Sequence, residues 1–301
     1  MTIKNYLFLV IALCITYASI GQNRDNVIGS FPFTITPQNN IAVKAILNQK
    51  DTINLMLHTA AESLTLIEKS TASISSINWN KEETVESWGG KSTARYSKNN
   101  TLQIGNFKWK NLPIWENKNS GPGTDGKFGP NLFKNQVIEI SVTKGLITIY
   151  NELPKKRKGY KKIPLSYRDG FMFINGTSTI ASKKYKNEFL IHSGYAGFIL
   201  YDDAFANKNK LDTQLKITDT KELKDSYGNI LKTQKANLPL FAIGKVNFIN
   251  VPVGFFKGSI ARQNVSVIGT DVLKRFDFFI DKNRTFIYLK PNANFNATYN
   301  N

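Results

Sequence analysis

The chain has 301 residues, with 40 Lys plus Arg against 22 Asp plus Glu, a formal charge of +18, two histidines and one cysteine, Cys14. That length supports one large core or two modest ones. A lone cysteine excludes an intramolecular disulfide and a cysteine-built metal site. The positive balance suits a polyanion or an anionic surface as partner, but no nucleic-acid motif accompanies it, so no specific nucleic-acid partner is expected.

In chain order, residues 1–21 read as a signal peptide. Lys4 is the positive start, an apolar stretch runs from Tyr6 to Tyr17, and Ser19-Ile20-Gly21 is a small-x-small cleavage site. About 12 apolar residues are short for a membrane span, so a secreted or periplasmic protein beginning at Gln22 is expected. Leu13 before Cys14 argues against lipidation.

Next come a strand over Ile41–Leu47, a turn at Asn48–Asp51 and a returning strand over Thr52–Leu57. The return ends in His58-Thr59-Ala60-Ala61, a turn of small residues. Ser87-Trp88-Gly89-Gly90-Lys91 has the make-up of a hairpin tip. Gly121 to Lys127 has the glycine and lysine spacing of a phosphate loop. Phe128 stands where that loop needs Ser or Thr, and no apolar strand leads in, so the segment reads as a mobile surface loop. Gly129 precedes a short helix with Asn131 as its expected cap. Val137–Ile140 and Leu146–Tyr150 are strands joined by a turn at Thr143-Lys144-Gly145.

Residues 152–164, which hold Lys155-Lys156-Arg157-Lys158 and Lys161-Lys162, read as a linker. Beyond it an apolar run again ends in a histidine turn, Phe189-Leu190-Ile191-His192-Ser193-Gly194. Asp202-Asp203 reads as a helix cap, and a short helix near Asp271 is capped by Thr270 or Asp271. Strands over Phe276–Ile280 and Thr285–Leu289 flank a turn at Asp281–Arg284. The abundance of Phe and Tyr fits half-buried strands better than helices.

The chain repeats itself. His58 and His192 lie 134 positions apart (192 − 58). Ile104-Gly105 is echoed by Ile243-Gly244 at 139 (243 − 104), Leu112-Pro113 by Val251-Pro252 at 139 (251 − 112), and Gly129 by Gly269 at 140 (269 − 129). Four matches in order with barely drifting offsets indicate a duplicated domain.

Val267-Ile268-Gly269-Thr270-Asp271-Val272-Leu273 and the looser Lys127-Phe128-Gly129-Pro130-Asn131-Leu132-Phe133, each downstream of a histidine turn, resemble the pepsin-like and retropepsin-like aspartic peptidases. The resemblance covers most of the chain beyond the signal. It implies an all-β, bilobal pepsin-like fold: two related β-barrel-like lobes with short helices, an N-terminal lobe over 22–160 and a C-terminal lobe over 161–301, with a cleft between them. His58 and His192 fall where that family carries its catalytic aspartates. Thr59 and Ser193 match its hydroxyl residue, which bonds across the lobe interface. Gly194 matches its glycine, Ala60 replaces the other, and Gly129 and Gly269 complete the support of the dyad. Trp88, Gly89 and Gly90 match a flap tip over a substrate.

The family's chemistry needs two carboxylates sharing a proton, which two neutral imidazoles do not reproduce. The resemblance therefore implies a degenerate peptidase homologue that holds a peptide or protein segment without cleaving it. Two other readings stay open: a hydrolase with a histidine-based or metal-assisted site, and a structural or surface-interaction protein with a vestigial cleft. No cofactor is expected. His58 and His192 are the only imidazole ligands a metal could have, and neither turn adds an Asp, Glu or Cys as third ligand.

Overall fold

The computed structural model describes residues 26–87, 90–224, 226, 228, 230–256 and 264–299. The predicted signal, residues 1–21, and the flap residues Trp88 and Gly89 lie outside the described residues. Among the described residues no helix is long and apolar enough to cross a membrane.

The first half contains β1 (Val27–Pro32), β2 (Thr34–Ile35), β3 (Ile41–Leu47), β4 (Asp51–Leu57), β5 (Leu64–Ile67), α1 (Glu68–Thr71), β6 (Lys81–Ser87), β7 (Gly90–Ile104), β8 (Phe107–Asn117), β9 (Gly126–Phe128), a 3₁₀ turn (Pro130–Phe133), β10 (Val137–Ser141) and β11 (Leu146–Tyr150). The second half contains β12 (Lys161–Arg168), β13 (Phe171–Ile180), β14 (Lys183–Ile191), β15 (Ile199–Leu200), α2 (Asp203–Lys208), α3 (Leu211–Gln214), β16 (Ile217–Lys224), β17 (Ile230–Ile243), β18 (Val246–Phe256), β19 (Ser266–Ile268), α4 (Thr270–Leu273), β20 (Phe276–Ile280) and β21 (Phe286–Pro291).

In β3 the apolar residues Ile41, Val43, Ala45 and Leu47 are buried while Lys44 and Ile46 are exposed. That period-two pattern fixes which strand face meets the core. Asn48 and Gln49 take φ of 47° and 60° in the turn that follows, a conformation Asn tolerates better than most residues. Lobe 1 closes as a barrel in the order β3-β4-β9-β5-β8-β7, with β7 returning to β3. Lobe 2 closes in the same way as β13-β14-β19-β15-β18-β17, with β17 returning to β13. Parallel and antiparallel partners also correspond: β4·β9 and β14·β19 are parallel, whereas β5·β9 and β15·β19 are antiparallel. The echoed Gly105 and Gly244 sit in the matching β7–β8 and β17–β18 turns with φ of 54° and 57°.

A six-stranded antiparallel sheet, β1-β11-β10-β20-β21-β12, joins the lobes. Its centre is the β10·β20 pairing, Ile138 opposite Ile280 and Ile140 opposite Phe278. Two corner contacts brace it. Asp277 accepts from the Thr143 amide at 2.9 Å and the Thr143 hydroxyl at 2.8 Å. Arg284, in the β20–β21 turn, donates to the Phe133 and Gln136 carbonyls at 2.8 and 2.9 Å. The 3₁₀ turn of lobe 1 is thus held by a side chain from lobe 2.

Three local expectations are corrected. Gly121 to Lys127 is a surface loop only at its turn, where Pro122 and Gly123 are exposed: Gly121, Thr124 and Gly126 are buried, and Gly126–Phe128 is β9, an interior strand of the barrel. Asn131 does not cap its helix but donates to the Glu62 carbonyl at 2.6 Å. In α4 neither Thr270 nor Asp271 caps. Gly269 holds the cap position, Thr270 donates to the Ser193 carbonyl, and buried Asp271 pairs with Lys274 at 2.7 Å. At α2 the cap is as expected, Asp202 accepting from the Phe205 amide at 2.7 Å.

Candidate active site

His58 leaves β4 and His192 leaves β14, each beside the parallel strand that threads past it. The His58 amide donates to the Phe128 carbonyl and the His192 amide to the Ile268 carbonyl, both at 2.9 Å. One turn later the Ala61 amide closes on the His58 carbonyl and the Tyr195 amide on the His192 carbonyl, both at 3.0 Å. Gly129 and Gly269 make this threading feasible. A Cβ on Gly129 would lie 1.7 Å from the Ala61 carbonyl oxygen, and one on Gly269 would lie 2.1 Å from that of Gly197. Only glycine lets backbone approach backbone so closely.

Thr59 and Ser193 then lock the turns together across the lobes. The Thr59 hydroxyl donates to the Ile191 carbonyl at 2.6 Å and accepts from the Ser193 amide at 2.9 Å. The Ser193 hydroxyl donates to the Leu57 carbonyl at 2.6 Å and accepts from the Thr59 amide at 2.8 Å. Both residues are buried, so these four bonds satisfy groups that water does not reach. The Ser193 hydroxyl is therefore structural, and it is not a nucleophile for His192.

The imidazoles face each other with ring centroids 4.6 Å apart and planes at 61°. His58 is buried and His192 partly so. His58 Nδ1 accepts from the Ala60 amide at 3.2 Å, which puts the proton of its neutral form on Nε2. Gly194 lies against this ring: a Cβ there would sit 2.3 Å from His58 Nε2. Burial lowers the His58 pKa well below the usual imidazole value, aided by His192 and by the Lys127 ammonium. Burial, with Lys127 adding, lowers that of His192 to about 4. Near neutral pH both rings are uncharged.

Two matching barrels thus bring two like histidine turns to one paired central site. No family model and no curated protein matches the chain. Among solved structures it is similar to the aspartic proteinase from Irpex lacteus, with a TM-score of 0.61 and 15% identity over 90% of this chain and 99% of that one. The fold is pepsin-like. At this identity the likeness concerns architecture alone, the two barrel-like lobes.

Within the pepsin-like frame the two histidines, Thr59, Ser193, Gly194, Gly129 and Gly269 converge from four separate stretches of the chain. Of the residues expected to form a flap tip, Gly90 opens β7 opposite Ser87 in the antiparallel pair of β6 and β7. Glu62 does not join the imidazoles. Its carboxylate packs across the lobes against Gly170, between β12 and β13, where a Cβ would lie 1.6 Å from Oε1. Among the described residues no three His, Cys, Asp or Glu side chains cluster as metal ligands.

Sequence reasoning missed Lys127. Its ammonium lies within electrostatic reach of both imidazoles and bonds the Ser226 hydroxyl at 2.6 Å. Ser226 belongs to the turn between β16 and β17, and its carbonyl accepts from the Lys118 and Asn119 amides of lobe 1 at 2.8 and 2.9 Å. The signal for Lys127 was its place two residues before the threading Gly129, which the phosphate-loop spacing obscured.

Proposed function

We propose that this exported protein is a catalytically degenerate aspartic-peptidase-like protein that holds an extended peptide or protein segment between its lobes. The observation that carries the reading is the pair of facing imidazoles with ring centroids 4.6 Å apart, held by the reciprocal Thr59–Ser193 grip. In this reading His58 and His192 stand where a pepsin-like enzyme has its two aspartates. An aspartic dyad acts because two carboxylates share one proton, one drawing a proton from water and the other polarising the scissile carbonyl. Uncharged rings supply no such shared negative charge. His58 has its Nδ1 lone pair engaged by Ala60, which leaves Nε2–H as a donor and removes it as a base. The cleft itself can still hold an extended chain through backbone hydrogen bonds.

The test is gain and loss in one scaffold. Wild-type protein is expected to leave denatured casein intact and to bind members of an extended-peptide library. His58→Asp with His192→Asp is expected to hydrolyse casein at acid pH. Hydrolysis by wild type that His58→Ala abolishes would establish a histidine-based hydrolase instead. Peptide binding indifferent to His58→Ala and His192→Ala would favour a vestigial cleft.

A further inference from the structure

The densest cationic segment of the chain is not a loose linker. Residues 151–160 cross the outer face of the interlobe sheet. On its inner face Ile138, Ile140, Phe278 and Ile280 join the main core. On its outer face Val137, Tyr150, Phe279 and Tyr288 form a separate cluster, with Leu153, Tyr160 and Phe286 packed against it. This aromatic floor seats the cations. The Arg157 guanidinium lies 5.1 Å from the Tyr288 ring centroid, Lys162 Nζ 3.5 Å from that of Phe286, and Lys290 Nζ 5.8 Å from that of Tyr160. Lys162 is further fixed by ladder pairing with Tyr288, whereas its neighbour Lys161 pairs with the inner-face Leu289 and points the other way. Lys155, Lys156, Lys158, Lys162 and Lys290 are exposed. The nearby acids are engaged: Glu152 pairs with Lys282, and Glu139 accepts from the Tyr150 hydroxyl at 2.5 Å.

We propose that this face binds an acidic polysaccharide. Its cations are nearly all lysines, point charges suited to scattered carboxylate or sulfate groups rather than to bidentate recognition. The rings beneath Arg157, Lys162 and Lys290 carry the protein's own cations, so those faces do not offer stacking platforms to nucleic-acid bases. Of the exposed large apolar residues among those described, Ile46, Tyr167, Ile230 and Ile249 lie off this sheet, while Val27 and Ile28 sit on its far edge strand β1, Val27 opposite Tyr150. Two apolar side chains at that edge, on the strand farthest from β12, are not the broad apolar face with which an amphipathic element enters a bilayer. A single exposed ion pair contributes little. Several on one preorganised face act together when one chain delivers all the anions.

The test measures heparin affinity of the full chain, and its dependence on salt, at physiological ionic strength. Lys155→Gln/Lys156→Gln/Lys158→Gln is compared with Lys44→Gln/Lys108→Gln/Lys110→Gln, which removes the same charge from exposed strand positions of lobe 1. The first set is expected to weaken binding about tenfold and to flatten its salt dependence, the second by less than about twofold. Near-UV circular dichroism checks that both sets keep the native packing. Equal losses in the two sets would reduce the effect to net charge and overturn the proposal. So would absence of heparin binding, or tighter binding of single-stranded DNA or phosphatidylglycerol vesicles with the same dependence on the first set.

Discussion

In lobe 1 the histidine turn folds back on itself, the Ala60 amide bonding His58 Nδ1 at 3.2 Å. In lobe 2 the corresponding His192 Nδ1 is buried without a hydrogen-bond partner among the described residues. Gly194 presses against the His58 ring, whereas the matching position in lobe 1 carries the Cβ of Ala60. The backbone bonds of the two turns nevertheless agree to within 0.1 Å, as their paired distances of 2.9 and 3.0 Å show. Backbone symmetry thus survives where ring chemistry has diverged, because the turns are set by threading glycines and the cross-lobe grip rather than by the imidazoles.

That comparison breaks first at the glycines. Gly129→Ala and Gly269→Ala each drive a Cβ into backbone of the adjoining turn, which cannot yield as a side-chain end would. Each is expected to cost about 3 kcal/mol or more in urea unfolding. A variant of either that unfolds like wild type would show that the two threading sites are not equivalent.

The grip comes next. Ser193→Ala strands the Leu57 carbonyl and the Thr59 amide in a dry site, for an expected loss of about 2–3 kcal/mol. Thr59→Val should cost about the same for the mirror reason. Because the two hydroxyls brace one interface, the double variant should lose less than the sum. Strict additivity in a double-mutant cycle would refute the reciprocal lock.

Acid sharpens the comparison of the rings themselves. In the unfolded chain both imidazoles titrate near 6.5, and in the folded protein both titrate lower, His192 at about 4. Below pH 6.5 the native state therefore binds fewer protons than the unfolded state. Stability is whole above pH 6.5 and falls as pH drops towards about 4, by roughly 2–3 kcal/mol for His192. His58→Gln/His192→Gln should flatten the stability profile in that window, and an unchanged slope in the double variant would contradict the burial of the pair. The smallest effect expected is for Ala60→Gly, which makes the two turns alike. It should cost about 0.5–1 kcal/mol through unfolded-state entropy, with nitrogen chemical shifts showing His58 still protonated at Nε2.

Much of this architecture was legible in the chain. The strands around His58 and His192, the glycine-marked turns at Gly105 and Gly244 and the repeat itself depend on local periodicity and on motifs repeated at a near-constant offset. Other features were misjudged because their partners are remote. Asn131 resembles a cap until the Glu62 carbonyl is seen beside it, and Gly121 to Lys127 resembles a loop until the barrel closes around it. Glu62 is adjacent to the histidine turn in sequence, yet its carboxylate belongs to the contact with Gly170.

The amino-acid order alone determined two like halves, each with an apolar strand running into a histidine turn and a glycine downstream, since alternation and turn chemistry are properties of neighbouring residues. Tertiary structure alone decided that the rings meet at 4.6 Å, that only one of them has its Nδ1 tied back, and that the lysine-rich segment lies flat on aromatic rings. Those outcomes depend on how closed barrels and a shared sheet bring remote residues together, and solvent exclusion at that junction sets the charge of the groups enclosed there.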